Sequence, residues 1–279
     1  MTSPVGAEAR VFCQASLNFA PAQGSAAAVT RTVDIHDGRA ASLPGWQECG
    51  FELVDHTSAV VSWDDETVAA VHHAEMEQLA LVMTGADHAV VGSHIVRNPD
   101  EAARHQDLGP ITFVHSDFAA GYDDLVRGRY RTAPQSAPDG SLTRNGLTAA
   151  DVADARRMVI LQFWRNIGPP KMDFPLAFCD VRTVHLDDAR PIPVHDYAGS
   201  GFDFEALAVA APEPPERLRW YAFPELTVDE VVAFRTYDSD LVRDGGVFFT
   251  PHSAFRDPDV GIGQPARCSI ELRATCLFA

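Results

Sequence analysis

The second half of the chain is written in short apolar runs separated by turn residues. The runs are "MVILQFWRNI", "LAFCDVRTVHL", "RWYAFP", "EVVAFRTYDS", "GVFFTPHSAF" and "ARCSIELRATCLF". Between them stand "GPP", "DDARP", "RDGG" and "DPDVGIGQP". Segments of this length, rich in β-branched and aromatic residues, read as strands. No helix separates each pair, so the pattern predicts a mainly β fold, an antiparallel sandwich or barrel with helices outside it. Helical patterns are few. "ETVAAVHHAEMEQLALVMTGA" carries an apolar stripe through Val68, Val71, Met76, Leu79, Val82 and Met83 and stops at Gly85, with Glu75 falling inside the stripe. "LTAADVADARRM" starts at Thr148 as N-cap, with Asp151 standing in for the usual Glu or Gln of a capping box.

Two Pro-, Gly- and Ser-containing stretches, "TAPQSAPDGSLTRNG" and "APEPPERLR", read as excursions from one scaffold rather than as linkers between domains. The 279 residues are therefore expected to form a single domain: a helical and strand region over 1–110 packing on a β core over 111–279, with loop insertions at 123–146 and 198–215. The absence of a long apolar stretch argues against a membrane helix. "MTSPVGAEARVF" lacks the basic and apolar regions of a signal peptide, which points to the cytoplasm. Net charge is −17, from 22 basic and 39 acidic side chains, which argues against nucleic acid or an anionic membrane as partner. The five cysteines are widely spaced without a CxxC, so neither a zinc knuckle nor a disulfide framework is indicated, and Cys268 and Cys276 read as core thiols.

Candidate chemistry begins with three His-x-Asp pairs: His105/Asp107, His115/Asp117 and His185/Asp187. On a strand, residues two apart point to the same side, so both can reach one metal. His105 follows a polar stretch and lacks that geometry. His115 follows "PITFV" and His185 follows "FCDVRTV", both strand-like, and pattern leaves these two open. His252 closes "GVFFTPH". Two histidines and one carboxylate leave adjacent positions of an octahedral metal open, as in the facial triad of non-heme Fe(II) oxygenases. Downstream, "RCSIELR" puts Arg267, Ser269, Glu271 and Arg273 on one face of a strand. Two guanidiniums and a hydroxyl there suit a carboxylate ligand, while Glu271 could neutralise one Arg in a structural ion pair.

Weaker candidates are Trp164 and Arg165 on a strand beside the barrel mouth and Tyr221 in an aromatic run, all three possible substrate contacts. His72 and His73 are adjacent on a helix, and His195 and Asp196 are adjacent as well, so neither pair offers good co-ligands.

The ordered set "VHSDF", "LQFWRNIGPPKMDFPLAFCD", "RWYAFPELTVDEVVAFRTYDSD", "PHSAFRDP" and "PARCSIELRA" resembles the Fe(II)/2-oxoglutarate-dependent oxygenases, and within them the cephamycin C-7 hydroxylase-like and gibberellin-desaturase-like subfamily. "TVDIHDGR", "GFELVDHTSAV" and "MTGADHAVV" extend the resemblance into the N-terminal region. It implies a double-stranded β-helix, or jelly-roll, core. It implies Fe(II) held by His115, Asp117 and His252, which decides against His185, and 2-oxoglutarate gripped by Arg267 and Ser269; the strand spacing by itself leaves Arg273 as a rival anchor. It implies dioxygen as co-substrate and hydroxylation or desaturation of a small molecule, in natural-product metabolism. The carboxylate of Asp117 argues against halogenation, since related halogenases lack it. Two departures stand out: "FAAG" follows His-x-Asp, and "FWRN" replaces the family's "VWRP". The competing readings are an iron oxidase that ignores 2-oxoglutarate and a non-catalytic barrel that binds a small molecule.

Overall fold

The structure, a computed structural model, describes residues 10–21, 28–132, 140–261 and 265–279. The stretch behind the missing-signal-peptide reading lies mostly outside these residues, as do 133–139 of the expected loop. In the first part of the chain the strands are β1 (Val11–Phe19), β2 (Val29–Asp37), β3 (Phe51–Asp55), β4 (His88–Arg97) and β5 (His115–Ser116). Then follow β6 (Arg157–Asn166), β7 (Leu176–Cys179), β8 (Ala189–Val194), β9 (Phe204–Val209) and β10 (Trp220–Ala222). The last are β11 (Glu230–Asp238), β12 (His252–Ala254) and β13 (Ser269–Phe278).

They build two sheets, ordered β1-β2-β10-β7-β12-β5-β9-β8 and β3-β11-β6-β13-β4. All pairings are antiparallel except β10 with β2. Side chains of both sheets share the same core clusters. Leu17, Ile35 and Ala177 of the larger sheet pack with Met158, Ile160 and Tyr237 of the smaller. Phe178 and Tyr221 do the same with Trp164, Val232 and Phe234. This is the expected jelly-roll.

Central strand β6 shows how the layers are assigned. Met158, Ile160 and Trp164 face the other sheet. Val159, Leu161 and Phe163 face the opposite way, onto Met76 and Ala80 of helix 73–84. Alternation on a pleated strand requires this split.

Several expectations need correction. The 1–110 region does not merely pack on the core, because β1 and β2 extend the larger sheet and β3 and β4 edge the smaller one. The 123–146 insertion is not a plain loop, since helices Tyr122–Thr132 and Gly140–Arg144 form in it. The 198–215 insertion contains β9. The apparent strand "PITFV" before His115 makes only a single bridge, Phe113 with Asn18. Cys276 is buried as expected, but Cys268 is half-buried. No helix among the described residues is long and apolar enough to cross a membrane.

The capping box forms as read: Thr148 Oγ1 accepts from Asp151 N, and Asp151 accepts from Thr148 N. The longer helix departs from its pattern. It opens with Asp64 as N-cap and turns through a π segment at Val68–His72 before continuing as α-helix His73–Thr84, ended by Gly85 in the left-handed region. A π turn inserts extra backbone and rotates every later side chain around the axis. The buried face therefore becomes His72, His73, Met76, Glu77 and Ala80, while Val82 is 82% exposed. Glu77 is satisfied by Val91 N (3.0 Å) and Arg144 Nη2 (2.7 Å).

The two histidines carry a pH cost. Burial pushes His72 and His73 down from 6.5 to about 4, against the pull of Glu75 on His72. An unfolded chain protonates them near 6.5 and the folded chain only near 4, so stability falls as pH drops through that window and then levels off. Melting temperature measured from pH 7.5 to 4 should show this loss. The His72→Gln/His73→Gln double variant should show a shallower one, and an unchanged slope would contradict the account.

Candidate metal centre

His115 and His252 are direct cross-strand partners on β5 and β12. Their rings lie 4.4 Å apart, centroid to centroid. The β5 end is set by the N-terminal strand, because Val114 N donates to Asn18 O (2.8 Å) and Asn18 Nδ2 donates to Thr112 O (2.9 Å). His115 Nδ1 lies 2.6 Å from Phe113 O, and His252 Nδ1 lies 3.0 Å from Thr250 O. A carbonyl only accepts, so each Nδ1 carries a proton and donates. Each ring therefore turns Nε2 inward.

Both Nε2 atoms lie 3.6 Å from Asp117 Oδ1. The ligand atoms of His115, Asp117 and His252 all fall within 4.8 Å of one another, and no other such group occurs among the described residues. Burial, with the neighbouring His115, pushes His252 down to about 4, which keeps it neutral at pH 7. Burial raises Asp117, but Arg273 and then the two histidines outweigh it and hold the carboxyl well below the usual range. The donor set of two imidazoles and one carboxylate, with no thiolate, fits ferrous iron with open positions.

The same cavity, about 1210 Å³, reaches Arg267, Glu271 and Arg273. The two arginines do different things. Arg273 gives Nε (3.0 Å) and Nη2 (2.7 Å) to Asp117 Oδ2. Arg267 gives Nε to Ser269 Oγ (2.8 Å) and lies over the Trp164 ring at 5.2 Å. Its backbone N donates to Asp173 (2.8 Å), but the guanidinium comes no nearer a carboxylate than 4.0 Å, at Glu271, whose other oxygen takes Arg97 at 2.8 Å. Arg267 Nη1 has no partner among the described residues. Burial, then the charge of Arg97, brings this guanidinium down to about 9, still cationic at neutral pH. A buried cation with an orphan donor, opening on the cavity, fits the carboxylate of a ligand. Fe(II) and 2-oxoglutarate thus both find suitable residues in one chamber.

The family model described as oxidoreductase/YMDC permease-like domain matches residues 6–277. A hydroxylase/desaturase of Hormonema carpetanum, efuI, is 32% identical over 235 residues, covering 80% of this chain and 75% of that protein. The chain belongs to the Fe(II)/2-oxoglutarate-dependent oxygenases. A relative named for that chemistry, the Fe(II)/2-oxoglutarate-dependent dioxygenase nvfI of Aspergillus novofumigatus, is 28% identical over 75% of this chain and 67% of its own length. A solved iron and alpha-ketoglutarate-dependent endoperoxidase, NvfI, shares the fold with TM-score 0.72 at 23% identity, over 96% of this chain and 99% of that one. As a member of these oxygenases the chain is an oxidoreductase that uses Fe(II), 2-oxoglutarate and dioxygen.

The remaining sequence candidates do not line the oxygenase's cavity. Trp164 lies under Arg267 in the core, and Tyr221 packs on Phe51 and His36. Arg165 follows Trp164 on β6 and so faces the other way, where it donates to the carbonyls of His56 and Val228 and lies over Trp63. Two neighbours on one strand cannot both face a barrel mouth. His105 caps a short helix and accepts from Asp107 N (3.2 Å), outside any metal cluster. The Asn of "FWRN" has a positive role: buried Asn166 donates to Leu226 O (2.7 Å) and Pro169 O (3.0 Å), tying down the turn where the family has Pro. In "FAAG", Phe118 stacks on Tyr122 at 3.6 Å and helps wall the cavity.

Pattern reading missed Gln162 and Arg97. Gln162 is 1% exposed, lines the cavity, and has an unpartnered Oε1 among the described residues. Its signal was a lone amide inside an apolar strand. Arg97 joins Glu271 to Tyr197 Oη (2.9 Å), a long-range link that sequence spacing does not encode.

Asp117→Ala, which takes both charge-assisted hydrogen bonds from the half-buried Arg273, should destabilise the metal-free protein by about 1.5–3 kcal/mol in urea unfolding. An unchanged midpoint would contradict the pairing.

Proposed function

We propose that this oxygenase binds iron through His115 Nε2, His252 Nε2 and Asp117 Oδ1, and the distal carboxylate of 2-oxoglutarate through Arg267 and Ser269. The observation that carries the reading is one cavity holding both a converged His-Asp-His set and a buried guanidinium with an unspent donor. When bound, iron and 2-oxoglutarate supply oxidation by dioxygen coupled to decarboxylation of 2-oxoglutarate to succinate. The chain's own part is positional. The backbone carbonyls of Phe113 and Thr250 fix the imidazole tautomers, and Trp164 and Ser269 hold Arg267 in place.

The rest of the cavity argues for the substrate class. Ile95, Ile111, Phe113, Ile192, Phe202 and Phe204 line it, and its volume exceeds what the co-substrate alone needs. A bulky, largely apolar small molecule suits such a wall. The hydroxylase/desaturase names of the relatives support C–H hydroxylation or desaturation as the outcome.

Anaerobic addition of Fe(II) and 2-oxoglutarate should produce a weak visible charge-transfer band. His115→Ala and His252→Ala should each abolish it and stop succinate release. A band that survives both substitutions would overturn the ligand set.

A further inference from the structure

Arg273 and Arg267 flank one carboxylate, that of Glu271, at 3.5 and 4.0 Å, but their other partners differ. Arg273 is committed elsewhere: Nε and Nη2 converge on a single oxygen, Asp117 Oδ2, at 3.0 and 2.7 Å. Asp117 Oδ1 is left facing both histidines at 3.6 Å. The guanidinium is held in that pose by Glu271 at 3.5 Å and by the Phe118 ring at 5.8 Å. Glu271 is in turn fixed by Arg97, whose other donors reach the carbonyls of Asp107 and Gly109.

We infer that Arg273 is a positioning residue for the metal carboxylate: it occupies Oδ2 so that Asp117 can offer a metal only Oδ1. This rests on the proposed ligand set and deepens it. A carboxylate free at both oxygens can chelate and take up a second metal position. An oxygen already holding two charge-assisted hydrogen bonds does not turn to the metal. By restricting Asp117 to one oxygen, Arg273 keeps vacant the positions that a chelating 2-oxo acid requires. Outer-shell partners of this kind orient metal ligands, and losing one typically costs about 10–100-fold in metal affinity or activity.

The test uses Co(II) in place of iron, so that absorption reports coordination without turnover. Wild type, Arg273→Met, Arg273→Ala and Arg273→Lys are titrated with Co(II) alone and then with 2-oxoglutarate, after circular dichroism confirms folding. The Met variant keeps the bulk of the stem should the Ala variant fail to fold. In the absence of 2-oxoglutarate, the Met and Ala variants should show weaker, shifted Co(II) bands, as an extra oxygen ligand produces. The Lys variant should return toward wild type. The metal-loaded Met variant should then bind 2-oxoglutarate about 10-fold or more weakly, the range typical of lost outer-shell partners. A Co(II) spectrum unchanged by Arg273→Met overturns the inference, because a simple co-substrate anchor would leave that spectrum alone. Lys behaving like Met also overturns it, because packing rather than donation would then be at work. Failure of the ligand set itself has a different signature: wild-type Co(II) bands that survive His115→Ala and His252→Ala.

Discussion

Buried charge governs this site. Two buried guanidiniums, Arg97 and Arg267, and two buried carboxylates, Asp117 and Glu271, share one chamber with the half-buried Arg273. Isolated charges at such depth are costly, so the set must be nearly self-neutralising. Glu271 takes Arg97 and Asp117 takes Arg273. Burial raises Glu271, but Arg97 and Arg273 hold it down to about 2. Arg267 is the cation left over. A fold that keeps such a residue has a built-in demand for an anion, and a dication at the histidines would draw the same anion from its other end.

Strand geometry turns this charge set into a site. β13 places its polar side chains on the inward face and Ile270, Leu272, Ala274 and Cys276 on the outer one. β5 and β12 put two histidines opposite each other, and the backbone alone decides which nitrogen faces in. The jelly-roll therefore contributes two separate things: a rigid pair of imidazoles from one sheet and a row of charges from the other. Neither sheet contains the whole site.

What could be read in the sequence follows from how local each cause is. The long strands β6, β11 and β13 were legible because their apolar runs are continuous. β1 was not, because its inward positions include the small residues Cys13 and Ala15 alongside Leu17 and Phe19. The helix was legible at its C-terminal end, where Gly85 takes a positive φ, while its N-cap Asp64 went unread. Its buried face was misread because nothing in "VAAVH" announces a π turn. The His-x-Asp pair was ambiguous as a pattern and became specific through family resemblance. The contrast between Arg267 and Arg273 was out of reach, since same-face spacing is identical whether an arginine meets a ligand carboxylate or Asp117 from a loop 156 residues upstream.

The central claim is that Arg267 is the unsatisfied cation that selects a dicarboxylate. Calorimetric titration of the Mn(II)-loaded protein with 2-oxoglutarate and with 2-oxobutyrate, which lacks the distal carboxylate, tests it most directly. The account predicts at least a ~10-fold preference for 2-oxoglutarate, as expected for a buried charge-assisted contact of ~1.5–3 kcal/mol. Arg267→Ala should erase that preference. Equal affinity for the two acids in the wild-type protein would contradict the account.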